Sequence, residues 1–209
     1  MFDTTSFALF FVASWALILT PGPDMVYVLT RGMAHGRRAG LISALGVTVG
    51  ILVHTLLAAF GLAVILQTSL VAFLLVKYVG AAYLIYLGVK ALKDTGNLVL
   101  QTDHPALRVR VLFWQGVLSN VTNPKVALFF LAFLPQFVRR EAGLVPLQML
   151  MYGLLFAGFG VVFLSLVGWS AGGIGRWLAQ QPRHVRPIRW LTGGALIGLG
   201  LRLALVERR

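Results

Sequence analysis

An apolar run begins near Phe7, is interrupted at Thr20-Pro21-Gly22-Pro23-Asp24, and resumes as Met25-Val26-Tyr27-Val28-Leu29. A helix that crosses a bilayer needs about 20 mostly apolar residues, so neither flank spans alone but the whole run does. Pro21 and Pro23 lack backbone N–H groups and their rings clash with the preceding turn, which breaks the helix inside the membrane. Irregular backbone at that depth persists only where protein or a wet cavity satisfies the freed polar groups. Asp24 sits at the break and is the only acidic residue embedded in any apolar run. A carboxylate there costs about 2.5–3.5 kcal/mol on insertion scales and by default marks a functional position. Capping the second half-helix is the other role open to it, although Ser or Asn would cap without burying a charge.

The rest of the 209-residue chain fits the same solvent. Hydrophobic residues make up 58%, mean hydropathy is +0.86, and only 11% of residues are charged, where a soluble domain carries about 25%. Six apolar runs fill the length and leave no room for a soluble domain, so the expected class is an all-α integral membrane protein. The net charge of +12 would suggest nucleic acid in a soluble protein. Here Lys and Arg cluster between the apolar runs, which orients spans in a membrane instead. Met1-Phe2-Asp3 lacks the positive start of a secretory signal. The absence of cysteine excludes disulfides, thiol redox chemistry and thiolate metal sites. His35, His54, His104 and His184 show no ligand pair at helical spacing, so no cofactor or metal is expected. His54, deep in the second run, reads as a packing histidine before a proton relay.

The expected spans are Thr5 to Thr30, Ala39 to Leu66, Leu70 to Leu92, Val111 to Phe137, Leu147 to Gly172 and Ile188 to Val206. A polar linker, residues 94–110, separates a first three-helix unit (1–93) from a second (111–209). The halves repeat: a shift of 112 aligns Lys77-Tyr78 with Arg189-Trp190, Leu87-Gly88 with Leu199-Gly200, and Lys90 with Arg202. A shift of 103 brings Pro21 onto Pro124. Units with an odd number of spans must have opposite orientations, the inverted-repeat plan of many secondary transporters, whose sites lie between paired broken helices. Lys and Arg are concentrated in the first, third and fifth loops, which predicts termini that face away from the cytoplasm. Glycines four apart, such as Gly46 and Gly50, or Gly168 and Gly172, offer close-packing faces for helices or for a homodimer.

Asn123-Pro124-Lys125 reads as a helix start in the middle of the fourth span. Asn is a strong N-cap and Pro is favoured at the first helical position. The exposed N–H groups of such a start form an anion site. Lys125 adds a full positive charge too far from either headgroup layer to snorkel easily. With Asp24 it forms either a structural ion pair or the two poles that a zwitterion needs. Pro21, Gly22, Pro23, Asp24, Asn120, Asn123, Pro124 and Lys125 are therefore the candidate site. A divalent-metal exporter would need more carboxylate or His ligands than Asp24 and His54.

Leu19-Thr20-Pro21-Gly22-Pro23-Asp24, and the stretch from Ser119-Asn120-Val121-Thr122-Asn123-Pro124-Lys125 through Leu134-Pro135-Gln136-Phe137, closely resemble the two signatures of the LysE/RhtB family. These are bacterial inner-membrane amino-acid exporters. The resemblance implies efflux, not enzymatic turnover, of amino acids such as threonine, homoserine, leucine or basic amino acids, driven by proton antiport. Family members that export basic amino acids tend to carry a second acid after the Asn-Pro. This chain has Lys125 there, which favours neutral substrates over cationic ones.

Overall fold

The computed structural model describes residues 4–62, 70–93, 108–139, 141–171 and 182–205. All regular structure among the described residues is helical. Helix α1 (Thr4–Leu19) and α2 (Pro23–His35) form the first run, and α3 (Arg37–Leu56) continues as a π-helical turn over Leu57–Leu62. Helix α4 covers Leu70–Lys93. Helix α5 (Val109–Val121) and α6 (Pro124–Leu128) form the fourth run, which ends in a π turn (Phe129–Phe133) and a 3₁₀ turn (Leu134–Phe137). Helices α7 (Val145–Ser170) and α8 (Pro182–Leu205) complete the set.

Among the described residues, Arg37–Gly61 and Val145–Ser170 are each long and apolar enough to cross a bilayer. The two broken runs qualify when each bent pair counts as one span. The first bends by 51° at Pro21-Gly22-Pro23 and the second by 47° at Asn123-Pro124, as the missing proline donors require. Large apolar side chains, including Phe11, Val12, Leu45, Leu75, Leu154 and Trp169, point outward. Such a surface suits lipid and would be a liability in water.

Several boundaries differ from the sequence expectation. Arg31 and His35 belong to α2, and the expected basic loop shrinks to Gly36, whose φ of 84° is open to a residue without Cβ. Helix α8 starts at Pro182, so Arg183, Arg186 and Arg189 lie in its first turns and not in a loop; proline at a first helical position is favourable. The fourth run was expected to be helical to Phe137, but Pro135 has no N–H to continue the ladder and the backbone tightens to 3₁₀. The linker up to residue 107, residues 63–66, the loop from Gly172, and the Glu207-Arg208-Arg209 tail fall outside the described residues.

Lipid offers helices no hydrophobic drive to associate, so close backbone approach and van der Waals contact hold them. Helix α3 packs between α5 and α7, and α4 packs on α8. A Cβ on Gly40 would stand 2.6 Å from the Gly168 carbonyl oxygen, and one on Gly50 2.6 Å from Asn120 Cβ. One contact recurs. A Cβ on Gly88 would meet Ile197 at 2.6 Å and the Gly193 carbonyl at 2.7 Å; one on Gly200 would meet Ile85 at 2.7 Å and the Ala81 carbonyl at 2.8 Å. These glycines are used within the chain. Behind the second break, Phe10, Phe137 and Tyr152 pack together, and Phe129 stacks on Phe156 at 4.8 Å.

Candidate functional site

A proline in a helix leaves the carbonyl four residues earlier without its donor. Pro21 does this to Leu17 and Pro124 does it to Asn120. The Leu17 carbonyl is satisfied from the other half of the chain, and the Asn120 carbonyl takes one donor from the other half and one from its own turn. Lys125 Nζ donates to Leu17 O at 3.1 Å and to Thr20 O at 2.9 Å, closing the C-terminal end of α1 with a positive charge. His54 Nε2 lies 3.1 Å from Asn120 O. A carbonyl only accepts, so Nε2 carries the hydrogen. Asn123 N–H also reaches that carbonyl, at 2.9 Å. His54 stacks on Phe130, so its packing role and its polar role are served together.

Asp24 is buried but does not cap α2; the cap position is Gly22, with no side-chain hydrogen bond. Its Oδ2 accepts from Asn120 Nδ2 and Asn123 Nδ2, both at 2.8 Å, and its Oδ1 accepts from Ser119 Oγ at 3.2 Å. Asn123 also caps α6, its Oδ1 accepting from Lys125 N–H at 3.0 Å. Asp24 of the first break is thus held by the second, and Lys125 of the second holds the first. Neither charge takes the other as its hydrogen-bond partner. Hydrogen bonds to a charged group are worth about 1.5–3 kcal/mol each, so this cross-bracing is what makes two broken helices tenable in lipid.

Gly22 serves space and not backbone freedom. Its φ of −162° is ordinary extended chain, but a Cβ would stand 3.0 Å from Lys125 Nζ and 3.3 Å from Cε.

Two cavities meet at Lys125. The larger, about 210 Å³, is lined by both breaks (Thr20 to Pro23, and Asn123 to Lys125) and by Tyr83, Leu87 and Lys90 of α4. It is smaller than the roughly 300–1,000 Å³ of drug-sized sites, as suits a small metabolite. The other, about 30 Å³, is lined by Asp24, Asn120 and Lys125 among apolar side chains. Asn120 is fully buried and its Oδ1 has no protein hydrogen-bond partner. Among the described residues no three His, Cys, Asp or Glu side chains group closely enough to hold a metal ion.

All eight expected positions therefore come together. Missed by the sequence reading were Ser119, Thr20 and the α4 wall. Asking which donor replaces the one lost at Pro124 would have pointed toward His54.

A family model described as LysE type translocator matches residues 15–207. Relatives include a "Leucine efflux protein" of Enterobacter sp. (strain 638), 28% identical over 207 residues and covering 97% of each chain. Another protein of that name, from Klebsiella pneumoniae, is 29% identical over 211 residues, covering 99% of this chain and 98% of its own. An "Uncharacterized membrane protein" of Vibrio cholerae is 30% identical over 186 residues, covering 89% and 90%. No solved structure matches.

Proposed function

The chain belongs to the LysE type translocator family, and from that premise we propose that it exports small neutral amino acids across the bacterial inner membrane. The observation that supports this reading is the crossed pair of breaks, which sets the Lys125 ammonium in the lining of a cavity of amino-acid size and the Asp24 carboxylate in the lining of a smaller one that meets it at Lys125. An ammonium has three donors. Two of Lys125's are used, and the third, with the N-terminal N–H groups of α2, is available to a substrate carboxylate. Asp24 and the unpaired Asn120 Oδ1 are acceptors for the substrate's ammonium. The chain's likeness to two proteins named leucine efflux protein supports a neutral, branched substrate. Purified protein in vesicles preloaded with leucine, threonine and arginine should release the first two in preference. Preferential release of arginine would favour the basic-substrate alternative and sink this reading.

The architecture in this proposal is two inverted three-helix units, 1–93 and 111–209, with termini in the periplasm. The Gly88 and Gly200 contacts support it: a shift of 112 maps one onto the other with the two helices exchanging roles, the behaviour of a self-complementary interface. A reporter active only in the periplasm, fused after Arg209, should be active; a clear cytoplasmic signal reverses the orientation. Coupling is to protons, through Asp24. The opening to the periplasm protonates Asp24 and frees the substrate's ammonium, and the opening to the cytoplasm restores the charge that draws the next one.

A further inference from the structure

Helix α4 takes no part in the hydrogen bonds that the Asp24 and Lys125 side chains make, yet it forms one wall of the larger cavity. Tyr83, Leu87 and Lys90 are spaced four and three apart, so they share one face of the helix. Tyr83 and Leu87 are half-buried, and Lys90, near the helix end, is exposed. Among the described residues, the cavity's lining thus holds two cations, Lys125 at the breaks and the exposed Lys90 on α4, together with the aromatic Tyr83 and apolar Leu87, and no acidic residue.

The geometry points to this face of α4 as the side-chain specificity surface of the transporter: Leu87 and Tyr83 set the size of the amino-acid side chain accepted, and Lys90 excludes cationic ones. The proposal rests on the amino-acid export reading above and names how that site chooses its substrate. With the carboxylate drawn to Lys125 and the α2 N-terminus, and the ammonium toward the smaller cavity that Asp24 lines, the side chain is left in the larger cavity, one wall of which is α4. A leucine-like side chain would lie against Leu87 and Tyr83. A lysine or arginine side chain along α4 would bring its charge toward Lys90, where no carboxylate among the described lining residues offsets the repulsion. A site built on apolar contact discriminates by fit, about tenfold or more for each methylene gained or lost.

The test uses purified full-length protein in vesicles preloaded with equal leucine, alanine, phenylalanine and arginine, and it reads ratios of efflux rates, which a merely structural loss would not move. Leu87→Trp should lower the leucine-to-alanine ratio about tenfold, by filling the cavity. Leu87→Ala should raise the phenylalanine-to-leucine ratio by a similar factor. Lys90→Glu should raise the arginine-to-leucine ratio several-fold while leaving leucine against alanine unchanged. If Leu87→Trp blocks all efflux, the Leu87→Ala ratio decides. Folded variants that export amino acids with the wild-type ratios would overturn the assignment of α4 and leave the export reading standing. Wild-type protein that releases no amino acid at all would overturn the export reading, and this assignment with it.

Discussion

Replacing Lys125 with methionine is expected to cost the protein both its stability and its transport. Methionine matches most of the lysine stem, so the packing against Gly22 is largely kept. The loss is polar. Leu17 O and Thr20 O, both now bonded to Nζ, would be left buried without a donor, at about 1–3 kcal/mol each. Asp24 would meanwhile lose the nearest compensating charge in a medium that tolerates buried charge poorly. Thermal unfolding of the detergent-solubilised variant should show a stability loss on the order of 2–6 kcal/mol. Leucine efflux per folded molecule should fall at least about a hundredfold, since in the proposed site the substrate carboxylate loses its one free ammonium donor. Lys125→Arg, which keeps the charge and can still reach both carbonyls, should recover most of the stability. A Lys125→Met protein as stable and as active as wild type would show that the crossed hydrogen bonds are dispensable.

How much of this was legible in the residues depends on the kind of signal. Pro21, Pro23 and Pro124 announce broken backbone because a proline's missing donor is a local fact, independent of partners. Asp24 and Lys125 announce themselves because charge in an apolar run is costly enough to need a reason. What these residues would bond to was not legible. Asp24 could have been a cap, or paired with Lys125; it takes three side-chain donors from the other break instead. That choice depends on how α2 and α5 sit against one another, which periodicity does not encode. His54 was legible as buried, but its bond to Asn120 O follows from α3 packing on α5. Tyr83 and Leu87 were invisible for a simpler reason. In a span made of apolar residues, nothing distinguishes a wall that faces a cavity from one that faces lipid.

Asp24→Asn separates the charge from the shape of the site. The amide is isosteric, and two of the three existing hydrogen bonds can be kept as they are. Its oxygen can accept from Asn120 Nδ2 and Asn123 Nδ2 as Oδ2 does now, and its NH₂ can donate to Ser119 Oγ, which both donates and accepts. No cavity opens, and the cost is limited to the Ser119 hydroxyl hydrogen and the amide's second N–H finding other acceptors, about 1–3 kcal/mol at most for each, so the variant should still fold and insert in the membrane. What disappears is the group that, in the proposed site and cycle, attracts the substrate's ammonium and carries the proton. The measurement is leucine export from vesicles containing the purified variant, with and without an imposed proton gradient. Export against a leucine gradient should fall by at least about a hundredfold, equivalent to roughly 2.7 kcal/mol, and what remains should no longer respond to the proton gradient. A folded Asp24→Asn protein that exports at near the wild-type rate, with the same dependence on the proton gradient, would contradict the assignment of Asp24 as the coupling residue.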